Sequence, residues 1–137
     1  MRQIRIFLDS DVIISSLLSS SGAAYLLTHN KKIDKYISNF SVKEIKIVAK
    51  RLGINLTKVE KLVKKFKIIS IKKPFQKDCV FDSNDSHIVS GAIIAKTNFL
   101  LSYNLKHFKS EKIKRNWGIL VYRPAQFLQY LRSLSLN

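Results

Sequence analysis

Short apolar runs rich in β-branched and aromatic residues alternate with longer helical runs along this chain. The first short run, Ile4–Leu8, has the composition of a buried strand. Residues 68–71, 98–102 and 119–122 are predicted as further strands, and residues 34–37 are a candidate short second strand. Strands that alternate with helices favour a parallel sheet, because each helix returns the chain to the starting edge. We therefore expect a three-layer α/β/α fold with a central parallel sheet.

The longer runs predict six helices. The run at residues 57–66 places its apolar side chains at the i, i+3, i+4 and i+7 positions of an amphipathic helix. The run at residues 85–95 is apolar around most of its circumference and should be buried. The predicted helices lie at residues 12–18, 23–29, 41–52, 57–66, 85–95 and 124–134. No linker or repeat interrupts the pattern, so we expect one domain over residues 1–137.

The charge of the chain points to a polyanionic partner. The 25 lysine and arginine residues outnumber nine acidic residues, for a formal net charge of +16. Nucleic acid is the leading candidate; an anionic membrane surface, an acidic protein, or a proteome generally rich in lysine is an alternative. A single cysteine, Cys79, excludes a disulfide framework and a thiolate zinc cluster. The apolar runs are too short for a membrane span or a signal peptide, so we expect a cytoplasmic protein.

Several of the nine acids stand where a strand ends or a helix begins. Sites in parallel sheets form beyond the carboxyl ends of the strands, so these acids should converge there. Two carboxylates 4 Å apart repel by about 4 kcal/mol at an effective dielectric near 20, and a cation would remove that cost. Oxygen ligands without a cysteine or histidine cluster favour Mg²⁺ or Mn²⁺. The candidates are Asp9, Asp11, Glu44, Asp82 and Asp85, with Asn104 as a neutral oxygen ligand or water-holder.

Helix capping is an alternative explanation for several of these acids. Ser41 and Glu44 have the spacing of a capping box, in which Glu44 would bond back to the Ser41 backbone. Thr57 and Glu60 have the same spacing and are interpreted as a cap. Asp11 could cap the helix that follows it, and the pair at 82 and 85 could cap the next. The three histidines, His29, His87 and His107, lack ligand spacing and are expected to be surface or packing residues.

Four segments, taken in order, resemble the motifs of PIN-domain nucleases. Residues 6–14 resemble the opening strand that ends in Asp, followed by a small residue, Asn or Asp, and apolar residues. Residues 41–44 resemble the second acidic position, and residues 82–92 resemble the third block. Residues 100–108 resemble the fourth, which usually reads Leu-x-Thr-x-Asp or Leu-x-Thr-x-Asn. The resemblance covers nearly the whole chain.

The resemblance implies a compact α/β fold and Mg²⁺- or Mn²⁺-dependent cleavage of RNA by water. Many members of the family are toxins of VapBC-type toxin–antitoxin pairs, often dimeric and held inactive by an antitoxin. Carried over to this chain, Asp9, Glu44 and Asp85 would be the catalytic metal carboxylates, and Asp82 would be a further ligand. Asp11, Ser102 and Asn104 would support them. The chain departs from the pattern at Asn104, where many members have Asp, and at Ser102, where Thr is usual.

Two other functions remain as alternatives. Residues 8–12 also resemble the first motif of haloacid-dehalogenase-type phosphatases, although those enzymes usually need a longer chain with a cap insertion. A PIN-like module that binds nucleic acid without cutting it would fit the uncharged Asn104 and the net charge of +16. Metal-dependent cleavage that is lost in Asp9→Asn would separate an enzyme from a binding module.

Overall fold

A parallel five-stranded sheet forms the centre of the protein. The computed structural model describes residues 3–135. The strand order is β3-β2-β1-β4-β5, and each neighbouring pair is parallel. The strands are β1 (Arg5–Leu8), β2 (Asp34–Ser38), β3 (Lys67–Ile69), β4 (Phe99–Leu101) and β5 (Leu120–Tyr122). The predicted α/β fold with a central parallel sheet is confirmed.

Seven α-helices connect and cover the strands in the described part of the chain. They are α1 (Ser10–Leu18), α2 (Ala23–Thr28), α3 (Asn39–Arg51), α4 (Leu56–Val63), α5 (Ser86–Ile94), α6 (Ser110–Trp117) and α7 (Pro124–Ser135). The six predicted helices are present with shifts at their ends, whereas α6 was not predicted. Its sequence lacks an apolar stripe, since Ile113 is its only buried residue. None of these helices is long and apolar enough to cross a membrane.

Alternating side chains of β1 divide the core into two layers. Ile6 and Leu8 pack on one side of the sheet with residues of α1, α2, α3, α4 and α7. Phe7 packs on the other side with residues of α5 and α6. All three are fully buried, which stabilises the fold by about 1.5–3 kcal/mol for each side chain. This two-sided burial explains why three apolar residues, Ile6, Phe7 and Leu8, follow one another without a polar residue between them.

Two helices are capped by residues other than the predicted ones. The α3 helix begins at Asn39, and the Ser38 hydroxyl accepts a hydrogen bond from the Ser41 N–H at 3.0 Å. The predicted capping box at Ser41 and Glu44 is therefore wrong, and Glu44 lies in the second turn of the helix. A tertiary contact selects Ser38, because its hydroxyl also lies 2.8 Å from His87 Nδ1 in the buried interior.

The predicted capping box at Thr57 and Glu60 is also wrong, because a residue nearer the start of the helix caps α4. The cap of α4 is Asn55, whose side chain accepts a hydrogen bond from the Thr57 N–H at 2.7 Å. In the third acidic block, a 3₁₀ turn at Ser83–Asp85 precedes α5, which begins at Ser86 instead of residue 85.

Candidate active site at the carboxyl edge of the sheet

Two acids that follow β1 meet a serine that follows β4. The strands are parallel neighbours with Leu8 opposite Leu101, so the residues after each strand share one edge of the sheet. The buried Ser102 hydroxyl donates to Asp9 Oδ2 at 2.8 Å and also lies 3.3 Å from Asp11 Oδ2. Asp9 and Asp11, two of the acids expected to converge at this edge, therefore lie together here, joined by Ser102.

The carboxylate of Asp11 faces the segment after β4. Its Oδ2 accepts from the Tyr103 N–H at 3.0 Å and from Asn104 Nδ2 at 3.1 Å. Its Oδ1 is buried and has no hydrogen-bond partner among the described residues. The cap of α1 is Asp9, whose Oδ1 accepts from the Ser10 N–H at 2.8 Å. The alternative that Asp11 caps this helix is therefore wrong.

The carboxyl group of Asp9 is hard to ionise. Its pKa is raised from 3.8 to about 7, chiefly by burial and also by the negative charges of Asp11 and Glu44, while hydrogen bonds from Ser102 and Ser10 act in the opposite direction. Burial also raises the pKa of Asp11, with a smaller contribution from Glu44. Without a cation, keeping both Asp9 and Asp11 charged at neutral pH costs free energy.

A third acid, Asp85, directly precedes α5. The Asp85 carboxylate lies 3.6 Å from His107 Nδ1. Burial raises the pKa of Asp85, nearby His107 lowers it, and the charges of Asp82 and Glu44 raise it. The two segments are held together by an isolated bridge between Val80 and Phe108.

His107 is exposed, which agrees with the prediction of a surface or packing residue, but the sequence did not indicate its contact with Asp85. Its only sequence signal is that it falls three residues after Asn104, within the 3₁₀ turn Leu105–His107. His87 also fits the prediction, as a packing residue, because it is buried and burial lowers its pKa to about 4.

Glu44 and Asp82 occupy the margin of the site. The side chain of Glu44 is exposed on α3, yet its charge raises the pKa values of Asp9, Asp11 and Asp85, so it lies near all three. The exposed Asp82 accepts the Asn84 N–H at 2.9 Å and caps the 3₁₀ turn before α5. The structure thus shows a capping contact for Asp82 and none for Glu44 within residues 3–135.

The chemistry of the edge fits a hard divalent cation. Its donors are carboxylate and amide oxygens, and the buried Asp11 Oδ1 has no partner within the described chain. As positioned, no three Asp, Glu, His or Cys side chains of residues 3–135 form a ready-made ligand group. Asp9 with Asp11 and Asp85 with His107 are instead two separate pairs, and the charge of Glu44 acts on the acids of both.

Comparison with known proteins identifies a family that this chain matches. The family model of the PIN domain matches residues 5–106. No curated protein matches. Two solved structures show the same fold at low identity. VapBC2 from Rickettsia felis, bound to a DNA fragment from its promoter, gives a TM-score of 0.61 at 18% identity, covering 88% of this chain and 98% of that one.

The second structure is FitAB bound to the IR36 DNA fragment. It gives a TM-score of 0.57 at 17% identity and covers 87% of this chain and 94% of that chain. The matched residues of the family model run from the start of β1 to residue 106, so they include every acid of the candidate site and end one residue before His107. The chain belongs to the PIN-domain family.

Proposed function

We propose that the protein is a metal-dependent endoribonuclease that cleaves RNA phosphodiesters with water. The family supports the general class, a nuclease. The observation that carries the proposal is the meeting of Asp9, Asp11 and Ser102 at the carboxyl edge, where the charge of Glu44 acts on Asp9, Asp11 and Asp85 alike. RNA as the substrate and the metal requirement are our inferences.

Asp9, Glu44, Asp82 and Asp85 would hold Mg²⁺ or Mn²⁺. When bound, such an ion lowers the pKa of a water molecule and neutralises charge on the phosphate. The chain's own residues position the ligands. Ser102 orients Asp9 by its 2.8 Å hydrogen bond, and Asn104 together with the Tyr103 N–H fixes one oxygen of Asp11. The free Asp11 Oδ1 remains available to a ligand or a water molecule.

The net charge supports a polynucleotide substrate. A net charge of +16 attracts a phosphate backbone through contacts that do not read sequence. A small phosphate ester would not need such an extended field, which argues against the haloacid-dehalogenase alternative, as does the PIN match.

Inhibition by an antitoxin is a further part of the proposal. The two similar structures are of VapBC2 and FitAB, each bound to DNA, which supports an antitoxin partner for this chain as well. An acidic antitoxin would complement the net charge of +16, and a homodimer would agree with the toxins that the sequence resembles. We propose that the protein acts in the cytoplasm.

Cleavage of a labelled single-stranded RNA tests the proposal. The wild type, Asp9→Asn and the control Glu111→Gln should each be assayed with Mn²⁺, with Mg²⁺ and with chelator. Glu111 is an exposed acid of α6, outside the candidate site. We expect metal-dependent cutting by the wild type and the control, and at least a hundredfold loss in Asp9→Asn. Equal activity in chelator would contradict the metal requirement.

A binding module without activity is the second candidate. Asn104 brings no charge to the site, and the described residues show no ready-made metal cluster, which favours this alternative over other enzymes. RNA that is bound by the wild type and by Asp9→Asn, but cut by neither, would identify this case.

A further inference from the structure

Two adjoining clefts lie away from the carboxyl edge. The first, of about 350 Å³, lies between the end of α1, α2 and α4. The second, of about 320 Å³, lies at the beginning of β2 and β3, the opposite edge of the sheet from Asp9. Both clefts are lined by His29 and Lys65, so they form one continuous surface.

This surface, the lysine groove, is strongly positive. Six lysines line it: Lys31, Lys35, Lys58, Lys61, Lys65 and Lys67. Its one acidic lining residue is Asp34, whose carboxylate lies 3.5 Å from Lys67 Nζ. The other five lysines form no ion pair within residues 3–135. The groove therefore carries positive charge that the described protein does not neutralise.

One lysine of the groove is held inside the protein. Lys35 is 5% exposed, and its ammonium donates to the carbonyl oxygens of Thr28 at 3.0 Å and Asn30 at 2.6 Å. Burial lowers the pKa of Lys35, and the positive charge of Lys65 lowers it further. Neighbouring cations that disfavour each other would be stabilised by a bound anion.

Lysine is suited to contacts with a phosphate backbone. Lys58 and Lys61 lie on one face of α4, and Lys65 follows shortly after its end. The three span about 10 Å at 1.5 Å per residue, which distributes the charges along a line. The groove contains no arginine that would favour fork-like pairing with a single carboxylate.

A stacked pair of aromatic rings in the groove favours one class of anionic ligand over another. The Tyr25 and His29 rings stack with centroids 3.9 Å apart at 23° in the wall of the first cleft. Both side chains are half-buried, so part of each remains open to solvent. Aromatic side chains beside a row of cations are the combination that binds single-stranded nucleic acid, by stacking and by phosphate contacts. An acidic peptide would not use the rings in this way.

We propose that the lysine groove binds the backbone of single-stranded RNA at a distance from the catalytic edge. The proposal extends the proposed function, because it takes RNA as the ligand. Asp9 caps the beginning of α1 and the groove starts at its end, and nine helical residues span about 13 Å. An RNA must therefore be several nucleotides long to reach from one to the other.

The test compares the binding of RNAs of two lengths in the Asp9→Asn background. The groove variant is the double substitution Lys61→Gln and Lys65→Gln. Lys58 is left intact because its ammonium donates to the Leu17 carbonyl at the end of α1, at 2.8 Å. The matched control, Lys96→Gln with Lys114→Gln, removes the same charge from two exposed lysines outside the groove. Thermal unfolding shows whether each variant is folded.

We expect the groove variant to bind a 20-nucleotide single strand about 25-fold more weakly in 0.1 M salt. The salt dependence should become shallower by about 1.4 in log–log slope, because each lost phosphate contact contributes about 0.7. The loss should be larger for the long RNA than for a dinucleotide, which has a single phosphodiester and cannot contact a row of lysines. The control variant should lose less than threefold.

Three results would overturn the proposal: an equal loss in the control, an equal loss for both RNA lengths, or no loss at all. A poly-glutamate peptide serves as a competing probe. If the groove substitutions weaken its binding and leave the RNA unaffected, the groove is a protein-docking surface. The binding assay does not depend on cleavage, so it tests the groove separately from the nuclease proposal. If the nuclease proposal fails and the groove proposal holds, the RNA will bind through the groove lysines but will not be cut by any variant.

Discussion

At the scale of single residues, Asp9 combines two opposed requirements. It is 8% exposed, which disfavours its charge, yet a carboxylate is the form that a cation would need. Ser102 and the Ser10 N–H hold its two oxygens and partly offset the burial. A buried acid at a functional site with a strongly raised pKa is a common arrangement in enzymes.

The raised pKa of Asp9 predicts how the Asp9→Asn variant depends on pH. In chelator, the native state binds a proton at Asp9 more tightly than the unfolded state, with pKa values of about 7 and 3.8. The contribution of Asp9 to the free energy of unfolding is therefore full below pH 4 and is lost as the pH rises through 7. The side chain of asparagine does not titrate, so Asp9→Asn does not lose free energy of unfolding in this way.

We expect Asp9→Asn to gain stability relative to the wild type between pH 5 and pH 8, by a few kcal/mol (on the order of 3). Urea unfolding of both proteins across this range in chelator measures the difference. His87, whose pKa is lowered to about 4, destabilises both proteins equally as the pH falls below 6.5, so it cancels. A wild-type-minus-variant difference that is flat with pH would contradict the prediction.

Asn104→Asp should change stability in opposite directions with and without metal. The Asn104 amide donates to Asp11 Oδ2 at 3.1 Å, and an aspartate there would replace a donor by a second negative charge. We expect a lower melting temperature in chelator, a larger upward shift on addition of Mn²⁺ than in the wild type, and tighter Mn²⁺ binding. Thermal melts with and without Mn²⁺ measure the melting temperature in chelator and its shift with metal. A variant whose melting temperature does not change with Mn²⁺ would argue against metal at this edge.

At the scale of elements, the site depends on how helices and strands end. The carboxyl ends of β1 and β4 lie side by side, and the segments after them hold Asp9 and Ser102. The first turn of α3 is fixed to α5 by the contact between Ser38 and His87. Because α3 carries Glu44 and α5 follows Asp85, this contact sets the position of both acids.

Ser38→Ala should cost more than the loss of an ordinary cap. The Ser38 hydroxyl is fully buried, caps α3 and contacts His87, so its removal leaves buried polar groups without a partner. We expect a loss of about 2–3 kcal/mol in the free energy of unfolding. The control Asn55→Ala removes the exposed cap of α4 and should cost about 1 kcal/mol. Equal losses in urea unfolding would mean that the His87 contact adds nothing.

Gly91→Ala should destabilise the protein although alanine favours helices. A Cβ at Gly91 in α5 would overlap the ring of the fully buried Phe7 in β1. Overpacking costs about 1–3 kcal/mol and outweighs a helix-propensity gain of about 1 kcal/mol. The control Gly22→Ala meets no atom within 4 Å and should change stability by less than 1 kcal/mol. Thermal unfolding of both variants makes the comparison, and a stabilised Gly91→Ala protein would show that Phe7 moves aside freely.

At the scale of the whole molecule, the separation of charge is the main feature. The few acids of the candidate site lie at the carboxyl edge, while the lysine groove extends to the opposite edge of the sheet. The chain as a whole carries a net charge of +16. Such an arrangement attracts a polyanion over a broad surface and leaves the acids for local chemistry.

RNA binding by the whole protein should weaken steeply as salt rises. Each phosphate contact with a single strand contributes about 0.7 to the slope of log K against log salt. We expect a slope of about −3 or steeper for a 20-nucleotide RNA bound to Asp9→Asn, corresponding to four or more contacts. Fluorescence anisotropy between 50 and 400 mM salt measures it. Binding that is independent of salt would exclude a phosphate-dominated surface.

The sequence by itself determined the fold class and the residues from which the site is built. Buried parallel strands leave apolar runs, amphipathic helices leave a 3.6-residue period, and both are local patterns. The positions of Asp9 after a strand and Asp85 at the start of a helix were visible in the same way, whereas Ser102 was predicted as the last residue of a strand and became a candidate only through the resemblance to the PIN motifs. The polar α6 was missed because only Ile113 is buried, so there was no apolar stripe to recognise.

Only the tertiary structure decided which polar group meets which. Several serines and asparagines could cap each helix, and buried His87 rather than local sequence selected Ser38 for α3. The contact between His107 and Asp85 joins two segments through strand pairing and has no local signal. The same holds for the lysine groove, whose charges come from separate elements. Hydrogen bonds and charge interactions act over a few ångströms in space, and only the folded chain sets those distances.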